Sequence, residues 1–316
     1  MNIVRTAGRI AVTSRSFSKN PVLREELLHL YSDVTFNDAG ASLEGADLLS
    51  FLQGHEKAIV ALERIDADLV SRLPELQVIS KYGVGLDNID ADALARHGKR
   101  LGWRGGVNKR SVAELALSFM IALLHHVPQA AAEIRSGMWR QIQGRQLTDK
   151  VVGIIGCGHV GKDLVTLLKP FNCRVMAYDI VDQSDFYREH GVEAAGLDAL
   201  LACSDVVTLH VPFDPGTANL LSRARLSQMR PGAVLINTAR GGIVDEVALK
   251  IALIEGNLSA AAFDVFASEP PADQELLSLS NFMVTPHIGG SAIEAVLAMG
   301  RSAIAGLEEN SIPLKA

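Results

Sequence analysis

The chain has 316 residues, of which 48% are hydrophobic, and this is more than a single domain usually needs to build its core. Asp and Glu (36) outnumber Lys and Arg (30), and the net charge of -6 argues against a nucleic-acid-binding surface. Three cysteines, Cys157, Cys173 and Cys203, are too few for a disulfide framework and form no CxxC metal pair. We expect two domains, no nucleic-acid partner and no metal.

The small number of cysteines favours a reducing, cytoplasmic location. The amino-terminal sequence MNIVRTAGRIAVTSRS lacks the apolar core and small-residue cleavage site of a secretory signal, so nothing marks it for secretion. The most apolar stretch runs from Val112 to Val127 and includes Glu114, Ser118 and two histidines. It falls short of the roughly 18 uninterrupted apolar residues that span a membrane. We therefore expect a buried helix there and no membrane partner.

Short β-rich runs alternate with helical patterns over residues 9 to 80, which is typical of βαβ units around a parallel sheet. The predicted strands are RIAVTS, VTF, AIVAL and LQVIS, and the predicted helices are LREELLHLY, EGADLLSFLQG and DADLVSRL. A long helix is predicted next, over RSVAELALSFMIALLHHVPQAAAEIRSG, with a kink or break at Pro128.

A second series of strands follows, each next to a segment of helical period. These strands are KVVGIIG, CRVMAYD, DVVTLHV, AVLINTA, AAAFDVF and FMVTPH, and a last helix covers SAIEAVLAMGRSAIAGLEEN. The pattern predicts an α/β fold with a second, doubly wound parallel sheet.

The first strand of this second series runs into the motif Gly156-Cys157-Gly158-His159-Val160-Gly161, after which a helix begins. In a dinucleotide-binding turn, these three glycines permit the tight turn, the approach of the pyrophosphate and close helix packing. The next strand ends in Asp179, where an acid accepts hydrogen bonds from the ribose hydroxyls and repels a 2′-phosphate. No Arg follows Asp179 directly, so NAD is favoured over NADP; the alternative is that Asp179 only caps a loop.

Three polar segments follow later strands of the second sheet. They are INTARGG around Arg240, DVFASEPP from Asp264 to Pro271, and TPHIGG around His287. Ligands of doubly wound folds bind outside the carboxyl ends of the strands. In order and spacing the three segments resemble the arginine, glutamate and histidine motifs of the D-2-hydroxyacid dehydrogenase family. KYGVGLDNID, NKRSVAE and His210-Val211-Pro212 also match, and the resemblance extends from about Ile59 to Gly306.

The resemblance implies a Rossmann cofactor domain, residues 105 to 288, inserted in a flavodoxin-like substrate-binding domain made of residues 1 to 104 and 289 to 316. It also implies hydride transfer between NAD and C2 of a small 2-hydroxy or 2-oxo acid. By position, His287 is the acid/base, Glu269 orients it, and Arg240 binds the substrate carboxylate and polarises the C2 oxygen.

The remaining site predictions concern the cofactor and the substrate. Asp264 resembles the acid that holds the nicotinamide carboxamide, and Val84, Gly85 and Lys81 are predicted substrate contacts. The other predicted cofactor contacts are Gly156, Gly158, His159, Val160, Gly161, Asp179, His210, Val211, Pro212, Thr217, Thr238, Ala239, Arg240, His287, Gly289 and Gly290.

Lys81 suggests a substrate with a second anionic group, such as a phosphate or phosphonate, because phosphoglycerate-type relatives often carry Arg beside this turn. Tyr82 is bulkier than the residue usual there, which counts against 3-phosphoglycerate itself. In relatives the long helix and neighbouring segments form a dimer interface, and here the stretch from Val112 to Val127 is more apolar than a solvent-facing helix should be, so a homodimer is predicted. The alternatives are a non-enzymatic NAD-sensing regulator on the same fold, or an enzyme that oxidises a different small anion such as phosphite or formate.

Overall fold

The computed structural model describes residues 6–313, which form two compact units. One unit comprises the chain up to Asn108 together with the segment from Ile293 onwards, and the other comprises Lys109–Ala292. The boundaries proposed from the sequence lie four residues earlier, after residues 104 and 288.

The first unit is a five-stranded parallel sheet with helices. Its strand order is β2-β1-β3-β4-β5, which is the flavodoxin-like order. Its strands are β1 (Thr6–Val12), β2 (Tyr31–Phe36), β3 (Lys57–Val60), β4 (Val78–Lys81) and β5 (Arg100–Gly102), and its helices are α1 (Arg15–Lys19), α2 (Pro21–Leu30), α3 (Gly45–Leu52), α4 (Ala67–Ser71), α5 (Ala91–Arg96) and α14 (Ile293–Gly306). The predicted strands and helices are present, whereas α1, α5 and β5 were not predicted.

Local sequence explains where several of these helices begin. Asn20 accepts hydrogen bonds from the backbone N–H groups of Val22 and Leu23, and Pro21 occupies the first turn of α2. Asp66 and Asp90 cap α4 and α5 in the same way.

The carboxyl-terminal helix α14 completes the core of the first unit. It packs against α2, β4 and β5. The Ser80 hydroxyl of β4 donates to the carbonyl of Ala303 (2.6 Å), and a methyl group at Gly300 would lie 2.3 Å from the side chain of Leu23. The prediction that the last helix packs back on the first domain is confirmed.

The second unit is a seven-stranded parallel sheet of order β12-β11-β10-β9-β6-β7-β8, the doubly wound order that places β6 beside β9 at the centre. Its strands are β6 (Val151–Ile155), β7 (Arg174–Tyr178), β8 (Glu193–Ala194), β9 (Val206–Leu209), β10 (Ala233–Asn237), β11 (Leu258–Phe263) and β12 (Phe282–Val284). Its helices are α6 (Lys109–Leu124), α7 (Val127–Arg135), α8 (His159–Leu168), which runs into a 3₁₀ turn (Lys169–Phe171), α9 (Ser184–His190), α10 (Leu197–Cys203), α11 (Arg223–Leu226), α12 (Glu246–Ile254) and α13 (Gln274–Leu277). The predicted fold is confirmed.

The long helix predicted over residues 110 to 137 is divided. Helices α6 and α7 meet at a bend of 63°, with His126 in the left-handed conformation and Pro128 in the first turn of α7. Among residues 6–313 no single helix is both long and apolar enough to cross a membrane. Seven of the 16 residues of α6 are buried, including Phe119, Met120 and Leu123, and the helix packs on α8, β10 and β11.

The three cysteines are free thiols, as predicted. Burial raises the pKa of Cys157 and of Cys173 to about 11, so both stay protonated near neutral pH. The cytoplasmic location inferred from the cysteines stays a prediction.

Candidate active site

The glycine-rich turn after β6 has the geometry that a dinucleotide requires. Gly156 has φ +89°, and a methyl group there would lie 2.7 Å from the carbonyl oxygen of His210. At Gly161 a methyl group would lie 2.4 Å from the carbonyl oxygen of Gly156, so α8 packs directly on the turn. A methyl group at Gly158 would meet no protein atom within 4 Å. The turn is therefore crowded where it faces the protein and open at Gly158. Gly158 is the N-cap of α8, and the amino terminus of a helix favours an anion such as a pyrophosphate.

Asp179 follows β7 and is tied to the same turn. Its Oδ2 accepts a hydrogen bond from the N–H of Cys157 (2.7 Å), and Oδ1 accepts from the N–H of Val181 (2.8 Å). The carboxylate thus shapes the turn and its own loop, which the alternative interpretation anticipated in part. A carboxylate offers about four acceptor positions, so these two bonds leave capacity for ribose hydroxyls.

Two buried polar atoms lie just after the central strands. Among the described residues, Nδ1 of His210 and Oγ1 of Thr238 have no hydrogen-bond partner. His210 as a residue is half-buried, and desolvation by the surrounding protein lowers its pKa to about 3, so the ring is neutral. Its Nε2 is bonded to Oγ1 of Thr208 (3.0 Å). A bound dinucleotide fits here, because it would bring polar groups to atoms that otherwise lack partners.

The turn after β10 presents Arg240, which is half-buried. The amide of Asn237 donates to the carbonyl of Arg240 (2.8 Å) and accepts from the N–H of Ala239 (3.0 Å), so a buried side chain braces the turn from within. A methyl group at Gly241 would lie 1.9 Å from the carbonyl of Phe266. Only glycine permits that approach. Asn237 and Gly241 belong to the predicted segment INTARGG, but the sequence analysis assigned neither of them a role.

Asp264 is buried at the end of β11 and organises the loop that carries His287. Oδ1 accepts from the hydroxyl of Thr285 (2.5 Å) and the N–H of Ile288 (2.7 Å), and Oδ2 accepts from the N–H of Gly289 (2.8 Å). These bonds commit much of the carboxylate's acceptor capacity to the protein. That Asp264 binds the nicotinamide carboxamide stays a prediction.

Glu269 and His287 form a hydrogen-bonded pair. Nδ1 of His287 lies 2.9 Å from Oε2 of Glu269, and Oε1 of Glu269 accepts from the N–H of Phe266 (3.1 Å). His287 has φ +54°, and its N–H bonds the carbonyls of Asp264 (2.9 Å) and Thr285 (3.1 Å). Both side chains stay partly exposed. The imidazole is held through Nδ1, and Nε2 is the nitrogen that remains for a ligand.

In the first unit, the turn after β4 is shaped by Lys81. The ammonium donates to the carbonyl of Ala61 and to Oδ1 of Asn88 (2.6 Å), and the amide of Asn88 donates to the carbonyls of Ala61 (3.1 Å) and Glu63 (2.6 Å). Lys81 is buried and joins the loops that follow β3 and β4. Asn88, which the sequence analysis did not single out, is the other half of this link.

Tyr82 points into the core of the first unit. Its ring packs edge-on against Phe17, with the ring centroids 5.4 Å apart, and burial raises the pKa of its hydroxyl. The unusual bulk at this position therefore fills the core. The turn itself continues through Gly83 (φ +136°), Val84 and Gly85, which are partly exposed.

The remaining predicted cofactor contacts lie in the second unit near the carboxyl ends of its strands. His159 and Val160 begin α8, and the Thr217 hydroxyl donates to the carbonyl of Pro212 (2.7 Å) and so closes the loop after β9. Gly289 is buried, and its carbonyl accepts from the hydroxyl of Ser111 (2.5 Å). Val211, Ala239 and Gly290 lie in the same loops. All these contacts stay predictions.

These features define the second unit as a dinucleotide-binding α/β domain that carries a carboxylate–imidazole pair. The model of the family "D-isomer specific 2-hydroxyacid dehydrogenase, NAD binding domain" matches residues 117–289, more than half of the chain. The chain therefore belongs to the D-isomer-specific 2-hydroxyacid dehydrogenase family. The predictions of this family and of NAD as cofactor are confirmed.

The similar proteins are named for several different activities. D-3-phosphoglycerate dehydrogenase of Methanocaldococcus jannaschii is 34% identical over 282 residues, which cover 88% of this chain and 54% of that protein. Hydroxypyruvate reductase of Thermotoga maritima is 34% identical over 264 residues, covering 82% of this chain and 85% of that protein. D-lactate dehydrogenase from Aquifex aeolicus, solved with NAD and lactic acid, superposes with a TM-score of 0.82 at 26% identity and covers 94% and 93% of the two chains. The chain spans about half the length of the D-3-phosphoglycerate dehydrogenases it matches.

Proposed function

We propose that this protein catalyses NAD-dependent interconversion of a small 2-oxo acid and the corresponding 2-hydroxy acid. The observation that carries the proposal is the pair formed by His287 and Glu269, with Nδ1 and Oε2 2.9 Å apart, in a dinucleotide-binding unit. When bound, NADH supplies the hydride and NAD accepts it.

The protein's own residues handle the proton and the charge. In the reductive direction, Nε2 of His287 gives a proton to the C2 oxygen, and the Glu269 carboxylate accepts from Nδ1–H and stabilises the charged ring. The Arg240 guanidinium binds the carboxylate and stabilises negative charge that develops on the C2 oxygen. In the oxidative direction, neutral His287 takes the hydroxyl proton.

The substrate class is a compact 2-oxo acid whose carboxylate is also bound by the backbone N–H groups of Val84 and Gly85. Within residues 6–313 neither of these N–H groups donates to a protein atom. A second anionic group on the substrate stays a prediction. The contacts of Lys81 with Ala61 and Asn88 count against Lys81 as its partner, because they commit the ammonium to the fold.

A panel of acids tests this function. NADH absorbance is followed with glyoxylate, pyruvate, hydroxypyruvate, 3-phosphohydroxypyruvate and a phosphonate analogue, and with formate and phosphite in the NAD-reducing direction. Turnover of at least one 2-oxo acid is expected, and it should fall by about 10²- to 10³-fold in Arg240→Ala while NADH binding persists. Tight NADH binding without turnover of any compound would instead support the NAD-sensing regulator.

We propose that Asp179 makes the protein prefer NADH over NADPH. Because Asp179 also accepts bonds from Cys157 and Val181, Asp179→Asn is a better variant than Asp179→Ala: it removes the charge and keeps an acceptor. The ratio of the NADPH and NADH dissociation constants should approach one in Asp179→Asn. Equal affinities in the unmodified protein would contradict the assignment.

We also propose a homodimer. The apolar residues of α6 that first suggested it are largely accounted for by the core of the second unit. Better support comes from α7, which has no buried residue, and from four apolar side chains on and after it that are more than half exposed: Val127, Ile134, Met138 and Trp139. A second copy of the chain would cover them.

A further inference from the structure

Trp103 lies in the segment that follows β5 and leads towards α6. Its indole Nε1–H donates to the carbonyl of Val84, with a distance of 2.9 Å, and the ring is 43% exposed.

The bond fixes one peptide unit of the turn after β4. The Val84–Gly85 peptide is trans and planar, so its carbonyl and its N–H point in opposite directions. Because the Val84 carbonyl is held towards the indole, the Gly85 N–H is directed away from it.

Without this hydrogen bond the Val84–Gly85 peptide could rotate more easily than most, because it has glycine on one side and follows another glycine. Gly83 has φ +136°, a conformation that glycine adopts without strain. The side chain of Lys81 passes close to Gly83, where a methyl group would lie 3.3 Å from Cε of Lys81. Trp103 holds the turn at the Val84–Gly85 peptide.

We propose that Trp103 is a positioning residue that orients the Gly85 N–H for the carboxylate of the substrate. This inference rests on the proposed function, since it names a determinant of carboxylate binding at the same turn. An N–H that is held in place before binding loses less conformational entropy when the anion arrives, and the gain appears as affinity. The indole does not touch the substrate in this proposal.

Trp103→Phe tests the role, because it keeps an aromatic ring and removes the donor. The Michaelis constant for the preferred 2-oxo acid should rise about tenfold, the effect of weakening one hydrogen bond to a charged group, while kcat is nearly unchanged. The dissociation constant of oxalate, measured by calorimetry on NADH-loaded protein, should rise by the same factor, and NADH affinity should not change. Trp139→Phe is the matched control, since Trp139 is the other Trp of the chain, lies in the second unit, and would keep an apolar ring on the surface proposed for the dimer.

A more specific experiment removes only the indole N–H of Trp103 and keeps the shape of the ring. In the Trp139→Phe background Trp103 is the single tryptophan, so incorporation of 3-benzothienylalanine changes that ring alone and removes its donor. A rise in both constants with an unchanged melting temperature supports positioning by the hydrogen bond. Unchanged constants in the benzothienyl protein and in Trp103→Phe overturn the inference.

The experiments distinguish a failure of the proposed function from a failure of the role of Trp103. If the unmodified protein reduces no acid, the function is wrong, and the oxalate titrations still decide the inference. Oxalate that binds the unmodified and Trp103→Phe proteins equally, or does not bind the unmodified protein, overturns the role of Trp103.

Discussion

Glu269 orients His287 through one carboxylate oxygen, while its other oxygen is held by the backbone of Phe266. The carboxylate is thus fixed before any ligand arrives, which is what an acid/base pair needs to favour one ring orientation. The backbone of His287, which is in the left-handed conformation, is also fixed, because its N–H donates to two carbonyls.

We predict different kinetic effects for the two members of this pair. His287→Asn should lower kcat by about 10²- to 10⁴-fold, the usual contribution of a general acid/base. Glu269→Gln should retain more activity and shift the pH profile of the reductive reaction to lower pH, because the imidazolium loses a stabilising charge. Full activity in His287→Asn, or a Glu269→Gln profile that coincides with that of the unmodified protein, would contradict these roles.

His210 should make stability depend on pH. Its pKa is lowered by burial from 6.5 to about 3 in the folded protein, so the unfolded chain binds more protons between these values. The stabilisation is therefore full above about pH 6.5 and is lost as the pH falls. Urea unfolding of the unmodified protein should show a larger loss of free energy between about pH 7 and pH 5 than His210→Gln does. His97→Gln, at an exposed position, should behave like the unmodified protein.

At the scale of elements, two glycines at the junction of β6 and α8 have different roles: Gly161 allows close packing, and Gly158 leaves room for the pyrophosphate. Gly161→Ala would force α8 away from the carbonyl of Gly156 and should destabilise the fold by about 1–3 kcal/mol. In Gly158→Ala the methyl group meets open space, so the loss of stability should be small, but it would occupy the approach of the pyrophosphate. Thermal unfolding with and without NADH checks this: Gly158→Ala should lose the rise in Tm that NADH causes. A normal NADH-dependent rise in Gly158→Ala would refute the placement of the pyrophosphate.

The sequence predicted strands best where apolar runs were long. The run VVGII of β6 and the run AVLIN of β10 are nearly fully buried and were predicted, whereas β5 and β8 are three and two residues long and have no periodicity to detect. The break between α6 and α7 was expected at Pro128, but the chain bends at His126 because proline is tolerated in the first turn of a helix.

Side-chain partners were harder to predict than motifs. Arg240, Glu269 and His287 were singled out because the order and spacing of their segments resemble the motifs of the family. The bonds of Asp264 to the His287 loop and of Lys81 to Ala61 join residues that are distant in sequence, and no local pattern encodes them. Because these long-range bonds are not visible in the sequence, Lys81 was predicted only as a substrate contact. In the structure its ammonium joins the loops that follow β3 and β4.

For the whole molecule, the exposed apolar side chains around α7 lead to a test of assembly. Trp139→Arg should shift sedimentation at micromolar concentration from dimer to monomer, because it places a charge where a second copy would bury an apolar ring. Leu62→Arg is the control, since Leu62 is also 85% exposed but lies in the first unit. A monomeric unmodified protein would contradict the proposal.

The use of α14 to complete the first unit has a consequence for synthesis on the ribosome. The second unit is one continuous stretch, so all of it has been translated before Ile293 emerges. Until then, Ile10, Leu23 and Tyr31 lack Ala303, Ile304 and Leu307, with which they form one core cluster. The nascent amino-terminal sheet therefore exposes an apolar surface while the dinucleotide-binding unit is made, and it is in this interval that a chaperone would protect the chain from aggregation.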